Sequence, residues 1–251
     1  MNISAQITRL LLLLWLLILG QSCRDFDDDI ACLQPAGDAI VDIEAMTMIP
    51  LADDGCILIN KNAECCLPEN LTQKDFGNVE TRILSKNSYN GTVFDENYGL
   101  FKTIRIYWFE KVRTQKPIMW NGEDLAKYGT SPIEIARSWV LDCSDGYLTI
   151  PVQSTWGDIS GSHSISLIGG VNPDNHLEFE LRHNSYGIEE GSNEEIIIAF
   201  DLNDILRNET PDKNGVVSIR LRWQSFSGEK TALFDIKPRD KQTSDRISVL
   251  K

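Results

Sequence analysis

The residues whose type and position point most clearly to chemistry lie at the start of the chain. Arg9 precedes the apolar run Leu10–Leu19, and a few small and polar residues then lead into Cys23. A basic residue, about ten apolar residues and small residues before a cleavage point form an export signal, and this run is too short to span a bilayer. A cysteine in that place is the usual acceptor of acyl chains such as palmitate. The sequence therefore predicts a lipoprotein signal peptide over residues 1–22 and lipid attachment at Cys23.

The residues after Cys23 indicate where such an anchor would hold the chain. Residues 23–37 contain the run Arg24-Asp25-Phe26-Asp27-Asp28-Asp29 near their start, and we interpret them as an acidic tether. This run resembles the tract that sends lipoproteins of Bacteroidetes-type bacteria to the outer face of the outer membrane. The resemblance implies an outer-membrane, lipid-anchored and surface-exposed protein. Two alternatives stay open: an ordinary signal peptide with a cysteine by chance, and a single-pass anchor with Trp15 near its middle.

The charge balance narrows the class of partner. The chain has 37 acidic and 24 basic side chains and a formal net charge of −13 at pH 7. An acidic surface repels phosphate backbones and anionic lipid headgroups. We therefore expect no nucleic acid as a partner. The simplest role of the charge is to keep a tethered protein soluble.

The sequence patterns of common catalytic centres do not occur in the chain. It has no G-x-S-x-G, no H-E-x-x-H and no glycine-rich phosphate loop. Acidic residues are abundant, but no pair stands out as the two carboxylates of a glycoside hydrolase. The three histidines, His163, His176 and His183, each lack a second ligand at zinc-type spacing. We therefore predict a non-enzymatic protein with no catalytic residue, no metal and no cofactor.

Five cysteines are left once Cys23 is assigned to lipid: Cys32, Cys56, Cys65, Cys66 and Cys143. Because five is odd, at least one thiol should stay reduced. In an oxidising compartment we expect Cys65 or Cys66 to form a disulfide with Cys32 or Cys56. A metal-binding or redox role of the adjacent pair is the alternative, although neither a C-x-x-C motif nor a neighbouring histidine supports it.

Alternation of apolar and polar residues predicts a mostly β protein. In the first half, strands are predicted near residues 39–49, 55–60, 78–86 and 101–112, and their lengths suit a small barrel. In the last of these strands, Ile104, Ile106 and Trp108 should point to one face. Arg105 and Tyr107 should point to the other.

A turn-rich stretch over residues 113–129 precedes a second set of strands. These are predicted near residues 146–155, 163–169, 176–184, 194–202, 216–225 and 230–236. Six short strands at this spacing indicate a β-sandwich. Residues 131–139 are predicted to form a short helix, and the polar tail after Pro238 is predicted to be disordered.

The segment Glu180–Gly187, which reads ELRHNSYG, resembles the hallmark of NigD-like lipoproteins of Bacteroidetes. Three further segments resemble strands of that family: DGYLTI at 145–150, GSHSISLI at 161–168 and AFDL at 199–202. The resemblance implies an all-β protein with an N-terminal OB-like barrel over residues 38–115 and a C-terminal β-sandwich over residues 116–238, followed by a tail over 239–251. It implies no established activity, because the family's name comes from a proposed bacteriocin-related role.

Within this motif both a structural and a ligand-binding role are open. His183 shares a strand face with apolar residues, which favours a buried imidazole bonded to a backbone carbonyl. Asn184 and Gly187 suit a turn that needs positive φ, and the Tyr186 hydroxyl could close that turn. The alternative is that Arg182, His183, Asn184, Tyr186 and Gly187 contact a ligand.

Two functions from different classes follow. The first is a non-catalytic binding or accessory module for an extracellular glycan, peptide or protein. Its contacts would come from aromatic rings in predicted turns, at Tyr89, Tyr98, Trp120 and Trp156. The second is a bacteriocin-immunity-type protein that sequesters a toxin, which would carry an acidic patch matching a basic partner.

Overall fold

The computed structural model describes residues 43–52, 54–96, 99–136, 140–157, 163–188 and 190–250, without the side chains of Arg246, Val249 and Leu250. The signal peptide and tether predicted over residues 1–37 lie outside these ranges. The described chain forms a closed β-barrel followed by two further sheets, so the prediction of an all-β protein with a barrel and a sandwich is confirmed. In these ranges no helix is long and apolar enough to cross a membrane.

The barrel is built from five strands and one short helix. These are β1 (Ile43–Pro50), β2 (Cys56–Ile59), β3 (Cys65–Pro68), α1 (Gln73–Phe76), β4 (Thr81–Asp95) and β5 (Gly99–Lys111). The strand order around the barrel is β1-β2-β3-β5-β4, as in an OB-like fold, and only the β3–β5 pair is parallel. The interior is filled by apolar side chains from alternate positions: Met46, Met48, Leu58, Ile83, Ile104 and Ile106. The sequence did not predict β3, which is only four residues long.

A β-bulge in β5 changes the expected direction of Trp108. Lys86 lies opposite Trp108, whereas its neighbour Asn87 lies opposite Ile106. Tyr107 is therefore an extra residue in β5 that has no residue of β4 opposite it. An extra residue breaks the two-residue alternation of a strand and re-aims the side chains beside it. Tyr107 and Trp108 are therefore both exposed. The prediction that Trp108 shares the inward face of Ile106 is wrong.

The sandwich contains nine strands in two sheets. Its elements are β6 (Arg113–Gln115), β7 (Ile118–Met119), β8 (Glu134–Ile135), β9 (Tyr147–Thr155), β10 (Ser164–Gly169), β11 (Glu178–Asn184), β12 (Asn193–Asp201), α2 (Asn203–Leu206), β13 (Val217–Ser225) and β14 (Gly228–Ile236). One sheet has the order β14-β13-β11-β10-β7 and the other β6-β12-β9-β8. The six strands predicted from residue 146 onward are confirmed. The short helix predicted over 131–139 is wrong, because Glu134 and Ile135 pair with β9 as a strand.

The tail after Pro238 is a helix rather than a disordered segment. Helix α3 (Lys241–Leu250) lies against the outer face of the barrel. Its Ile247 is buried in a cluster with apolar residues of the barrel strands: Ile49, Ile57, Ile59, Cys65 and Phe101. The Thr243 hydroxyl donates a hydrogen bond to the Ala63 carbonyl oxygen at 3.5 Å. The prediction of disorder is wrong because these barrel positions present an apolar outer face that the helix helps to cover.

Replacing Ile247 with alanine should lower the free energy of unfolding by about 2 kcal/mol, since it removes a buried side chain and leaves a cavity. Chemical denaturation of the two chains measures this difference. Ser248→Ala, at an exposed position of the same helix, is the matched control and should change the free energy by no more than about 0.5 kcal/mol. Equal effects of the two variants would contradict the packing of α3.

The barrel and the sandwich meet across a junction that is partly apolar and partly ionic. Its apolar members come from both units: Ala45, Leu84 and Val112 from one, and Val140, Tyr147 and Ala199 from the other. Beside them lie the buried Arg82 and the partly buried Arg239, each paired with an aspartate of the sandwich. Charged groups removed from water need such partners. The Arg82–Asp142 pair therefore joins β4 to the segment that precedes β9, whereas Arg239, which follows β14, pairs with Asp145 of that segment and reaches the barrel through Glu80.

Candidate functional site

The motif that predicted a site centres on His183, which the structure buries between the two sheets. Its Nδ1 donates a hydrogen bond to the Pro132 carbonyl oxygen at 3.2 Å. Its Nε2 lies 2.8 Å from Nδ1 of His163 and must then accept the proton of that nitrogen. His183 is thus the buried, carbonyl-bonded histidine that its strand pattern favoured.

A second histidine and a tryptophan complete this cluster. The His163 and His183 rings stack at a centroid distance of 5.0 Å, and the Trp156 ring lies 4.5 Å from that of His163. Burial lowers the pKa of His163 and that of His183. Both imidazoles are therefore neutral at pH 7, and the histidine pair is a packing element of the sandwich.

This pair predicts a loss of stability in mild acid. An unfolded histidine titrates near pH 6.5, and the folded pKa of each buried ring lies lower, so the unfolded chain binds more protons below pH 6.5. The contribution of the histidine pair to the free energy of unfolding should therefore be fully present above pH 6.5. It should decrease as the pH falls toward 5, by up to about 1.4 kcal/mol per pH unit for each histidine. Urea unfolding across this range measures the slope.

The control for this prediction is another histidine. His183→Gln should reduce the pH slope, whereas His176→Gln, at an exposed position, should preserve it. A slope that is the same in all three chains would show that the pair does not titrate as described.

The rest of the motif forms a turn and an ion pair. The Asn184 side chain accepts a hydrogen bond from the Tyr186 amide at 2.9 Å, and Tyr186 and Gly187 adopt φ values of +51° and +86°. The predicted turn is therefore present. The Tyr186 ring is 66% exposed, so it does not close the turn as expected. Arg182 points to the opposite face of the strand from His183 and pairs with Glu180 at 2.6 Å.

A small cleft runs beside this motif. Its volume is about 460 Å³ and its walls carry hydroxyl groups and one exposed ring: Thr130, Ser131, Ser154, Thr155, Ser185 and Phe226. Several of these hydroxyls are already engaged, since Ser131 bonds Ser185 at 2.9 Å and Ser154 donates to the Pro132 carbonyl oxygen at 3.0 Å. The cleft is polar and uncharged, which makes it a secondary candidate for a ligand.

Two neighbouring aromatic rings on strand β5 are both exposed. Tyr107 is 61% exposed and Trp108 is 43% exposed, at the bulge described above. Three polar side chains of the same strand pair lie around them: the exposed Lys86 directly opposite Trp108, and the half-buried Ser88 opposite the exposed Arg105. The Ser88 hydroxyl is 3.0 Å from that of Tyr107. We call these five residues the aromatic platform.

The platform has the features of a surface for a planar or ring-shaped ligand. Two exposed rings on one face of a sheet offer apolar area with polar edges, and a cation lies on each side of them. Bulges are common next to functional sites because they re-aim side chains. The run Tyr107-Trp108-Phe109 was the available sequence signal. In an alternating strand, three consecutive aromatic residues cannot all face the core, so at least one must point to the other face.

Three of the four aromatic residues proposed as ligand contacts are described by the structure, and each has a different environment. The Tyr89 hydroxyl donates to Glu44 at 2.6 Å at the end of the barrel, and Trp156 packs on the histidine pair. Trp120 is partly exposed and its indole donates to the Glu123 carbonyl oxygen at 2.7 Å. Tyr98 lies outside the described residues. The three described residues, Tyr89, Trp120 and Trp156, therefore do not form a shared surface.

The oxidation state of the cysteines differs from the predicted one. Cys56, Cys65 and Cys66 are reduced, so the expected bridge from Cys65 or Cys66 to Cys56 is wrong, and Cys32 lies outside the described residues. Cys65 and Cys66 are neighbours on a strand, so their side chains point to opposite faces. Burial raises the pKa of Cys56 and of Cys66 to about 12, which makes both thiols poor nucleophiles.

The fourth described cysteine, Cys143, is disulfide-bonded, and its partner lies outside the described residues. The sequence did not single out Cys143 for a bridge. Across the described ranges, no three His, Cys, Asp or Glu side chains are grouped as ligands of one metal ion would be.

Comparison with known proteins places the C-terminal half in a family. Residues 116–236 match the NigD-like C-terminal beta sandwich domain. No curated protein matches the chain.

Two solved structures of Parabacteroides and Bacteroides proteins share the fold, and a third is similar at a lower TM-score. A protein from Parabacteroides distasonis described as toxin related is 22% identical, with a TM-score of 0.59 over 83% of this chain and 98% of its own. A protein of unknown function from Bacteroides vulgatus is 20% identical, with a TM-score of 0.59 over 77% of this chain and 89% of its own. A NigD-like immunity protein from Bacteroides caccae is 18% identical, with a TM-score of 0.49 over 76% and 91%.

Proposed function

We propose that this chain, whose residues 116–236 belong to the NigD-like family, is a non-catalytic binding module that holds a glycan on the aromatic platform. The observation that carries the proposal is the β5 bulge, which turns Tyr107 and Trp108 together toward solvent. Sugar rings have apolar faces that stack on such side chains, while their hydroxyl groups bond to polar neighbours. Lys86 and Arg105 would favour a glycan that carries carboxylate or sulfate groups.

The direct test is a binding measurement on residues 24–251 with neutral and acidic polysaccharides, followed by calorimetry on those that bind. Replacing both Tyr107 and Trp108 with alanine should weaken binding by about thirtyfold, because each stacked ring contributes on the order of 1 kcal/mol. Phe226→Ala is the matched control, since it removes an exposed ring beside the sandwich cleft instead. Loss of binding in the Phe226 variant alone would move the site to the cleft. Absence of binding to every polysaccharide would overturn the proposal.

The same proposal includes the location of the module. Lipid attachment at Cys23 would hold the protein on the outer membrane, with the acidic tether extending it from the cell. Labelling of growing cells with an alkynyl palmitate should mark the protein, and Cys23→Ser should abolish the label and release the chain. Protease treatment of intact cells should then degrade the wild-type chain if it is surface-exposed. Protection from protease in intact cells, but not in lysed cells, would place it on the inner face.

A second candidate is a protective protein that sequesters a toxin. The net charge of −13 favours a basic partner, and one protein of the same fold is described as toxin related. Such binding should be lost at high salt, because it depends on charge. It should also survive the double substitution at Tyr107 and Trp108, which separates it from glycan binding on the platform.

A further inference from the structure

One disulfide joins the described part of the chain to its N-terminal segment. Cys143 is disulfide-bonded, and the other three described cysteines are reduced. The chain has six cysteines in all, so the partner of Cys143 is either Cys23 or Cys32. A sulfur that carries a lipid cannot also form a disulfide. The lipid attachment proposed at Cys23 therefore leaves Cys32 as the partner.

The described chain begins close to Cys143. Ile43, its first residue, packs against the apolar cluster of the junction, and Val140 belongs to that cluster. Val140 precedes Cys143 by three residues. The eleven residues from Cys32 to Ile43 can span up to about 36 Å when extended. This reach exceeds the three residues and the width of one apolar cluster that separate Ile43 from Cys143.

The residues on either side of Cys143 hold the junction together. Asp142 pairs with Arg82 of β4, and Asp145 pairs with Arg239, which follows β14. Cys143 itself is buried and belongs to the apolar core of the sandwich. The sandwich end of the disulfide is therefore part of a packed core and lies next to both ion pairs of the junction.

We propose that Cys32 and Cys143 form this disulfide, which fastens the segment between the lipid anchor and the barrel to the core of the sandwich. The inference rests on the lipid attachment at Cys23 proposed above. An exported chain meets an oxidising compartment in which such bonds form and persist. Each thiol loses a proton, and the two electrons pass to a disulfide-bearing oxidoreductase of that compartment, whose own disulfide becomes two thiols.

The bond sets the length of chain between the lipid and the sandwich. Without it, the twenty residues from Cys23 to Ile43 can span up to about 66 Å. With it, the nine residues from Cys23 to Cys32 separate the lipid from the sandwich core, a span of at most about 30 Å. A pull on the anchor then acts on the sandwich core instead of on the first strand of the barrel.

Peptide mapping of the lipidated chain identifies the partner of Cys143. Cells are lysed in denaturant that contains N-ethylmaleimide, which blocks reduced thiols before they can exchange. The purified protein is then digested without reductant by proteases that cut after arginine and glutamate. Cuts after Arg24 and Glu44 place Cys23, Cys32 and the later cysteines on separate peptides.

The outcomes separate this inference from the anchoring. We expect a disulfide-linked pair of peptides that contain Cys32 and Cys143. A pair that contains Cys23 instead would overturn both this inference and the lipid attachment. Maleimide on Cys32 and Cys143 in a chain that carries the palmitate label would overturn this inference alone. A linked pair of Cys32 and Cys143 in a chain without the label would mean that the anchoring has failed and the disulfide stands.

Thermal unfolding measures how far the bond fastens the fold. Cys32→Ala should lower the midpoint of unfolding by roughly 5–10 °C, because the bond closes a loop that contains the whole barrel. Reduction of the wild-type chain should lower its midpoint by the same amount. The matched control is reductant added to the Cys32→Ala chain, which should leave the midpoint unchanged. Equal midpoints of the wild type and the variant without reductant would overturn the fastening.

Discussion

Replacing Arg82 with methionine should lower the free energy of unfolding by about 3–5 kcal/mol, the cost of breaking a largely buried ion pair by removing one partner. The Arg82 side chain is 0% exposed and pairs with Asp142 across the junction of the barrel and the sandwich. It also donates hydrogen bonds to three hydroxyl groups: Thr47 at 2.8 Å, Ser144 at 3.1 Å and Thr149 at 3.3 Å. Methionine fills much of the same volume and donates none of these bonds.

Urea unfolding measures the effect, and an exposed arginine provides the control. Arg207 pairs with Asp204 at 3.2 Å on the surface, so Arg207→Met should cost less than about 1 kcal/mol. A loss below 1 kcal/mol for Arg82→Met as well would mean that water replaces the missing contacts. In that case the junction would be less closed than the packing around Arg82 indicates.

The sequence predicted the parts of this fold that depend on regular alternation. In β11 and β13 the apolar residues repeat at every second position, and Phe179, Leu181, Ile219 and Leu221 are buried as that pattern requires. The same pattern placed His183 inward, and its buried hydrogen bonds agree. Alternation is informative here because each of these strands has one face in the core and no interruption.

The same reasoning failed where one residue was inserted. The bulge at Tyr107 is created by the pairing of β5 with β4, and the strand's own sequence records it only as a run of aromatic residues. Trp108 was therefore assigned to the wrong face, and the aromatic platform was missed. Prediction of the platform would need the register between two strands, which depends on turn geometry and on contacts distant in sequence.

The C-terminal helix shows a second limit. Residues 241–250 have too few apolar side chains to predict a stable helix on their own, and short isolated helices are marginal in water. Contact with the outer face of the barrel supplies the missing free energy, through Ile247 in particular. The apolar outer face of the barrel cannot be recognised in the sequence. A strand that is buried on both faces is simply a continuous apolar run, which does not show what covers each face.

Arg239 holds the second ion pair of the junction, and replacing it with methionine should also cost about 3–5 kcal/mol near neutral pH. Its guanidinium bonds both carboxylate oxygens of Asp145, at 2.8 and 2.7 Å, and reaches Glu80 at 2.7 Å. The Asp145 side chain is fully buried. Burial raises the pKa of Asp145, whereas Arg239 and Arg82 lower it, so removal of Arg239 raises that pKa further.

This shift gives the loss a pH dependence whose sign can be checked. A carboxyl group whose folded pKa lies above its unfolded value, near 3.9, stabilises the fold below that value and loses the contribution as the pH rises through the folded pKa. The deficit of Arg239→Met relative to the wild type should therefore be smaller at pH 5 than at pH 8. Comparing the two chains at each pH cancels the common effect of the histidine pair.

A double substitution identifies Asp145 as the origin of the deficit. Adding Asp145→Asn to Arg239→Met removes the buried charge, so the double variant should be more stable than Arg239→Met at pH 8, and its deficit should not change with pH. If Asp145→Asn brings no recovery, the loss comes from the packing of the Arg239 stem or from Glu80. Full recovery would instead show that the Arg239–Asp145 pair adds no net stability to the fold.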